Sequence, residues 1–161
     1  MDRLPSKSWH PVTLFIGIQL ITLFIGILLF MTRGTDVWYQ ALNKPDFMPS
    51  GWVFAILWLI FFICVGIAGF YLWKTREEPL GRPAFTLWVV QTVMILIWFY
   101  VCFHRRSVGL ALLGLLLLSS IIFVLLSLSW RLSKKAFGWL CPYFVGIEFA
   151  SLLNLMVFMM N

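Results

Sequence analysis

The sequence predicts an all-α membrane protein, a single domain over residues 1–161 built as a bundle of five transmembrane helices. Its mean hydropathy is +0.97, with 62% hydrophobic and 11% charged residues, and a soluble domain of this size cannot bury so many apolar side chains. Crossing the hydrocarbon core takes about 20 apolar residues as a helix. Five runs meet that length, at about 11–32, 49–73, 83–103, 107–130 and 136–160.

The first run follows Arg3 and Lys7, as the apolar part of a secretion signal does. It is too long for such a signal, however, and no small-residue cleavage site follows it before Ala41. We therefore expect it to be retained as a membrane helix. Because lipid offers no partner to backbone polar groups, all five runs are expected to be helices rather than strands.

Two connectors differ in character. Residues 74–83, KTREEPLGRP, are polar and contain turn-forming proline and glycine, so they predict a solvated turn between the second and third spans. Residues 38–54, WYQALNKPDFMPSGWVF, combine two prolines with several aromatic residues between two very apolar spans. Composition alone leaves two interpretations of this stretch, a plain connector or a segment that closes over a pocket.

Basic residues predict the orientation in the membrane. Eight lie on the side of the N-terminus and four on the other, so the positive-inside rule places the N-terminus in the cytoplasm. We expect a multi-pass protein of a bacterial inner membrane. The basic residues form no single patch, and no nucleic-acid partner is predicted. The two sets are Arg3, Lys7, Lys74, Arg76, Arg82, Arg131, Lys134 and Lys135 on one side and Arg33, Lys44, Arg105 and Arg106 on the other.

Residues typical of catalysis or metal binding are scarce. His10 and His104 fall at predicted span ends, far apart in the topology. Cys64, Cys102 and Cys141 are isolated in apolar spans, which is typical of packing thiols. Nucleophile elbows, phosphate loops and paired carboxylates are absent from the sequence. We predict no catalytic residue, no metal site and no required cofactor.

The fifth span has two distinct faces. Glu148 lies near its middle, where a carboxyl is either functional or hydrogen-bonded to a neighbouring helix or protomer. At about 100° per residue, Glu148 points away from the face shared by Gly146, Ala150 and Asn154, with Tyr143 one turn earlier. That second face suits close helix packing, which spacing alone favours, or the wall of a ligand cavity.

Several of these segments resemble the translocator protein family, which includes TspO, the tryptophan-rich sensory proteins and the peripheral benzodiazepine receptors. WYQALNKPDFMPSGWVFAILW, residues 38–58, is similar to the family pattern WYxxLxKPxWxPPxWVFxxVW. Gln91 and Trp98 stand in register with the family's third helix, and PYFVGIEFASLLN, residues 142–154, resembles PYxxWxxFAxxLN. The resemblance covers residues 38–154.

The resemblance implies a five-helix bundle, often dimeric, with a lid at residues 33–48 over a pocket. Family ligands are porphyrins and haem-related tetrapyrroles and, in animal members, cholesterol and benzodiazepine-type drugs. We therefore expect a homodimeric sensor or carrier, surrounded by membrane lipid, for a porphyrin, haem or similar flat hydrophobic ligand. Aromatic rings would stack on it, and Gln91 and Asn154 would supply hydrogen bonds. The expected ligand-binding residues are Tyr39, Pro45, Phe47, Trp58, Phe62, Gln91, Trp98, Tyr143, Gly146, Ala150 and Asn154.

The chain also departs from the family pattern. The loss of two indoles and an amide predicts a larger and more apolar cavity, unless a methionine such as Met48 or Met94 or a neighbouring aromatic ring fills the space. An acidic residue common in the fourth helix of the family is Gly114 here. The other departures are Phe47 for Trp, Ser50 for Pro, Ile95 for Asn and Gly146 for Trp.

Two alternative functions follow from these departures. One is a ligand-independent interaction subunit with a decayed pocket, which would use the Gly146 and Ala150 face to associate with another helix. The other is light-dependent breakdown of porphyrin, in which Trp58 or Trp98 would have to donate electrons in place of the missing indoles. Binding of a flat ligand is the preferred function.

Overall fold

The computed structural model describes residues 10–31 and 35–161. Arg3, Lys7 and Arg33, which enter the orientation argument, lie outside these residues. The described chain forms α1 (His10–Met31), α2 (Thr35–Ala41), α3 (Gly51–Lys74), α4 (Gly81–Phe99, continued by a π-helical turn Tyr100–His104), α5 (Val108–Leu132) and α6 (Lys134–Met160).

Within the described chain, five helices are long and apolar enough to span a membrane, as predicted: α1, α3, α4 with its π turn, α5 and α6. The sixth helix, α2, lies inside the segment expected to be a lid loop. Its C-terminal end is capped by the Lys44 side chain, because Nζ donates to the carbonyl oxygens of Gln40 and Leu42, each at 3.2 Å. The lid is therefore a short helix followed by a turn.

The five long helices form a ring in the order α1, α3, α6, α5, α4 and back to α1. Their inward faces meet in one apolar core that includes Ala68, Ile95, Leu118 and Ile147. Their outward faces carry exposed leucine, isoleucine, valine and phenylalanine side chains. Such exposure is stable in lipid, because hydrocarbon chains are as apolar as these side chains.

Glycines in α3 allow the closest helix approach. A Cβ at Gly66 would lie 2.7 Å from Cα of Ile16, so the backbones of α1 and α3 nearly touch there. One turn later, Gly69 makes room for the indole of Trp88, whose Nε1 donates to the carbonyl oxygen of Val65 at 2.9 Å. Small residues at helix crossings are the usual device for such contacts in membranes.

Glu148 lies on the outer surface of α6, whereas Gly146 and Ala150 are buried, as the helical spacing predicted. Its carboxyl oxygen accepts a hydrogen bond from Oγ of Ser119 on α5. Of the two interpretations of Glu148, this geometry matches a carboxyl that is hydrogen-bonded to a neighbouring helix.

Candidate ligand-binding site

A partly open cavity of about 50 Å³ lies beneath the lid, where α4 and α6 end and α5 begins. Four of the residues predicted to bind ligand line it: Tyr39, Trp98, Ala150 and Asn154. We call it the inner cavity. Its other lining residues are Trp38, Leu42, Met48, Phe54, Cys102, Phe103, Val108, Leu153 and Val157.

One face of α6 forms a wall of the inner cavity. Ala150, Leu153, Asn154 and Val157 follow the spacing i, i+3, i+4 and i+7, which places them on a single helical stripe. Ala150 has the smallest side chain of the four and leaves room in the cavity. Helix packing and a cavity wall were the two interpretations of the face that carries Tyr143, Gly146, Ala150 and Asn154. Ala150 and Asn154 line the inner cavity, whereas Tyr143 and Gly146 are buried outside it, so the face has both roles.

The lid forms the roof. The ring of Tyr39 lies 5.9 Å from that of Phe30 and 6.4 Å from that of Phe103, both in edge-to-face geometry. Lys44 Nζ is 4.9 Å from the centre of the Tyr39 ring. Burial raises the pKa of Tyr39 to about 12, and its hydroxyl donates a hydrogen bond to Sδ of Met48 at 3.9 Å.

Hydrogen bonds tie the lid to the end of α6. The Asn43 backbone N–H donates to Oδ1 of Asn161 at 2.9 Å, and Nδ2 of Asn161 donates to the Asn43 carbonyl oxygen at 3.0 Å. Asn43 Nδ2 also donates to the carbonyl oxygen of Met160 at 3.3 Å. These bonds are exposed, so water can compete for both partners.

Two residues that line the inner cavity each have one buried polar atom without a hydrogen-bond partner among residues 10–31 and 35–161: Nε1 of Trp98 and Oδ1 of Asn154. The first is a donor and the second an acceptor. Leaving a buried polar atom unpaired costs about 1–3 kcal/mol. A bound molecule that offers both an acceptor and a donor would recover this energy.

Gln91 and Tyr143 pair with each other instead of lining the inner cavity. The Tyr143 hydroxyl donates to Oε1 of Gln91 at 3.0 Å, and both side chains are almost fully buried. Nε2 of Gln91 and Nε2 of Gln19 both donate to Oγ1 of Thr92, at 2.9 and 2.8 Å. This network connects α1, α4 and α6, so in this structure the two residues hold helices together.

Trp58 and Phe62 belong to an aromatic cluster next to the inner cavity. The indoles of Trp58 and Trp98 stack with centres 6.0 Å apart and planes inclined by 24°. Phe62 stacks on Phe99 at 6.3 Å and is buried in the core. Trp98 lines the inner cavity, and Trp58 stacks on its indole.

The turn after α2 decides which lid residues face the inner cavity. The Met48 N–H donates to the carbonyl oxygen of Pro45 at 3.0 Å, and this turn leaves Phe47 54% exposed. Met48 lines the inner cavity, whereas Pro45 is buried within the lid. The predicted site residues Pro45 and Phe47 therefore lie outside the cavity wall.

The space left by the missing indole at Gly146 is occupied by an aromatic neighbour. A Cβ at Gly146 would overlap the ring of Phe61, with Cδ2 only 2.7 Å away. The sequence predicted a larger cavity unless a neighbouring aromatic ring filled the space of the missing indole. Phe61 is such a ring. Gly146 instead lines a groove of about 360 Å³ on the outer side of α3 and α6.

Several lining residues were not predicted, and the sequence held a signal for some of them. Leu153 and Val157 continue the helical stripe of Ala150 and Asn154, so spacing could have found them. Cys102 and Phe103 line the cavity from the π turn that follows α4, and the apolar sequence of this turn does not distinguish it from an ordinary helix.

We predict that Gly114→Ser stabilises the protein more than Gly114→Ala does. A Cβ at Gly114 would lie 3.5 Å from Cδ1 of Trp98, the carbon bonded to the unpaired Nε1, so a serine hydroxyl can accept from the indole. Both variants remove a helical glycine, and the hydrogen bond should leave serine ahead by about 0.5–1 kcal/mol. Unfolding by SDS titration from dodecyl maltoside micelles measures the difference, and equal free energies would contradict this pairing.

Comparisons with known proteins agree with this architecture. Residues 15–160 match the model of the TspO/MBR family. The tryptophan-rich protein TspO of Chlorobaculum tepidum is 30% identical over 97% of this chain and 99% of its own length. Protein CrtK of Rhodobacter capsulatus is 28% identical over 77% of this chain and 78% of its own. The translocator protein of Bos taurus is 28% identical over 92% and 89%. Five membrane-spanning helices, a lid after the first of them and this match over nearly the whole chain show that the protein belongs to the TspO/MBR family.

Proposed function

We propose that this integral membrane protein is a sensor or carrier that binds a flat hydrophobic ligand of the tetrapyrrole class beneath its lid. The observation that carries the proposal is a pair of buried, unpartnered polar atoms, Trp98 Nε1 and Asn154 Oδ1, that belong to residues lining the largely apolar inner cavity. The peripheral carboxyl groups of a tetrapyrrole match both, because an ionised carboxylate accepts from Nε1 of Trp98 and a protonated carboxyl donates to Oδ1 of Asn154. The indole face of Trp98 offers a stacking surface for its ring.

Binding of so large a ligand requires the lid to move. The inner cavity has a volume of about 50 Å³, whereas small-molecule sites usually measure roughly 300–1,000 Å³. On this proposal, the structure is the form of the protein in which the lid is closed over the inner cavity. The exposed bonds between Asn43 and Asn161 would open at little cost, and the cavity would expand toward α2.

The distribution of the described basic residues supports an orientation with the lid on the side away from the cytoplasm. Lys74, Arg76, Arg82, Arg131, Lys134 and Lys135 lie at the α3–α4 and α5–α6 connections, opposite the lid end. By the positive-inside rule those connections face the cytoplasm. We infer that ligand reaches the lid from the outer side or from within the bilayer.

The test is a titration of the purified protein with protoporphyrin IX and with haemin, followed by the shift of the Soret absorption band. We expect saturable binding that Ala150→Leu weakens about tenfold, or 1.4 kcal/mol, because the larger side chain fills the inner cavity. Ala55→Leu, the same change at an exposed position of α3, is the control and should leave the affinity unchanged. Trp98→Phe keeps an aromatic ring but deletes the N–H donor, and should weaken binding about fivefold.

Two results would contradict the proposal. Absence of saturable binding would do so, and so would equal affinities for wild type and Ala150→Leu, since ligand would then not occupy the inner cavity. Absence of binding would favour the ligand-independent interaction subunit, whereas equal affinities would mean that the ligand binds elsewhere on the protein.

A further inference from the structure

Four exposed basic side chains lie at the end of the bundle opposite the lid, in the last turns of α3 and α5 and the first turn of α6. Among residues 10–31 and 35–161, the ion pairs at this end join only Arg76 and Arg82 to Glu77. The four side chains therefore carry positive charge without an acidic partner in the described chain. We call them the basic cluster: Lys74, Arg131, Lys134 and Lys135.

The two lysines of α6 stand where a helix does not favour cations. The N-terminal end of a helix carries partial positive charge, so acidic side chains stabilise it and basic ones do not. The first turn of α6 contains Lys134 and Lys135 and no acidic residue. Oγ of Ser133 accepts from the Ala136 N–H at 3.3 Å, but the first amides of a helix otherwise have no intrahelical acceptor. An external anion would therefore offset both the lysine charges and the partial charge of the helix end.

Aromatic rings of α3 hold two of the ammonium groups close to each other. Nζ of Lys135 lies 5.6 Å from the centre of the Tyr71 ring, and Nζ of Lys74 lies 5.1 Å from the centre of the Phe70 ring. These two rings are neighbours, with centres 5.4 Å apart. A ring face attracts a cation without neutralising it, so the two like charges still repel each other. An anion between the ends of α3 and α6 would turn this repulsion into two attractions.

The position of the basic cluster selects a lipid as the source of that anion. Its residues lie at the ends of membrane-spanning helices, which is the depth of the phospholipid headgroups. Nζ of Lys134 lies over the ring of Trp130, an exposed indole of the kind that belongs at this interface. Basic sites between spanning helices bind anionic headgroups, whose phosphate is not already paired with a choline cation.

We propose that the basic cluster binds the phosphate headgroup of an anionic phospholipid, with Lys74 and Lys135 as its main contacts and the first amides of α6 as further donors. The acyl chains of this lipid would lie along the outer faces of α3 and α6. The site is independent of the function proposed above, because no residue of the basic cluster lines the inner cavity. Failure of porphyrin to bind beneath the lid would leave the expectations below unchanged.

Native mass spectrometry of the full chain, delipidated in a nonionic detergent, resolves the binding of single lipid molecules. The probes are phosphatidylglycerol and phosphatidylcholine with identical acyl chains. We expect the first phosphatidylglycerol to bind at least tenfold more tightly than the first phosphatidylcholine. The reason is that each lysine near an anionic headgroup contributes a factor of about five to the binding constant.

Three substitutions test whether the site, rather than the charge of the whole protein, attracts the lipid. Lys135→Gln should weaken phosphatidylglycerol binding about fivefold. Lys135→Arg keeps the charge and should stay within about twofold of wild type. Arg82→Gln is the matched control, because it removes one positive charge from the same end of the bundle at a residue that already pairs with Glu77 at 3.4 Å. It should also leave the affinity within about twofold. Both positions are exposed, so circular dichroism should show the helical content of wild type.

Four results would overturn the proposal. Equal affinities for the two lipids would show that the basic cluster does not select an anionic headgroup. Equal losses in Lys135→Gln and Arg82→Gln would show that overall charge, not this site, attracts the lipid. Displacement of bound phosphatidylglycerol by millimolar inorganic phosphate would indicate a free anion as the occupant. Tighter binding of a hexaglutamate peptide than of phosphatidylglycerol would indicate an acidic protein segment.

Discussion

Gly66→Ala is expected to lower the free energy of unfolding by about 2–3 kcal/mol, the upper part of the range for overpacked positions. The added Cβ would lie 2.7 Å from Cα and 3.0 Å from the backbone nitrogen of Ile16. A side chain could rotate away from such a contact, but a backbone cannot, so α1 must separate from α3. SDS titration of the protein in dodecyl maltoside micelles measures the loss.

The control is Gly17→Ala on the facing helix α1. Among the residues that the structure describes, no atom lies within 4 Å of a Cβ at this position. The substitution removes a glycine from a helix interior without a clash, so a gain of about 0.5–1 kcal/mol is expected. Similar effects of the two substitutions would show that α1 and α3 are not in backbone contact at Gly66.

The second large effect that we expect is a loss of stability when the hydrogen bond between Gln91 and Tyr143 is removed. Tyr143→Phe leaves Oε1 of Gln91 without its donor at 3.0 Å, and Gln91→Leu leaves the Tyr143 hydroxyl unpaired inside the bundle. Each single variant should lose about 1–3 kcal/mol, the cost of a buried polar group without a partner. The double variant removes both partners of this hydrogen bond. Its loss in free energy of unfolding should therefore be smaller, by about 1 kcal/mol, than the sum of the two single losses.

The same variants separate two roles for Gln91. A residue that binds ligand would reduce porphyrin affinity when replaced, with little change in stability. Replacement of a residue that connects helices would reduce stability, with little change in porphyrin affinity. Because Gln91 does not line the inner cavity, we expect Tyr143→Phe to change the free energy of unfolding and to leave the porphyrin affinity within about twofold of wild type. A large loss of affinity at full stability would favour the role inferred from the family resemblance.

Part of the candidate site was readable from the sequence because it depends on local spacing. Ala150 and Asn154 are one helical turn apart, so they were expected on one face of α6, and both line the inner cavity. Trp98 was expected there from its register in the third span. Phe47 does not line the inner cavity, because the turn from Pro45 to Met48 leaves it exposed, and a pattern of residue types does not specify the direction of a turn.

The sequence by itself determined the medium, the number of spans and the division of α6 into two faces. Those properties follow from hydropathy summed along a segment and from the helical period, which are local quantities. Only the tertiary structure decided that Gln91 is bonded to Tyr143, that Phe61 covers Gly146, and that two cavities share Phe54. Each of these depends on which side chains of separate helices meet. Where every helix is apolar on all sides, packing shape rather than hydropathy decides that choice.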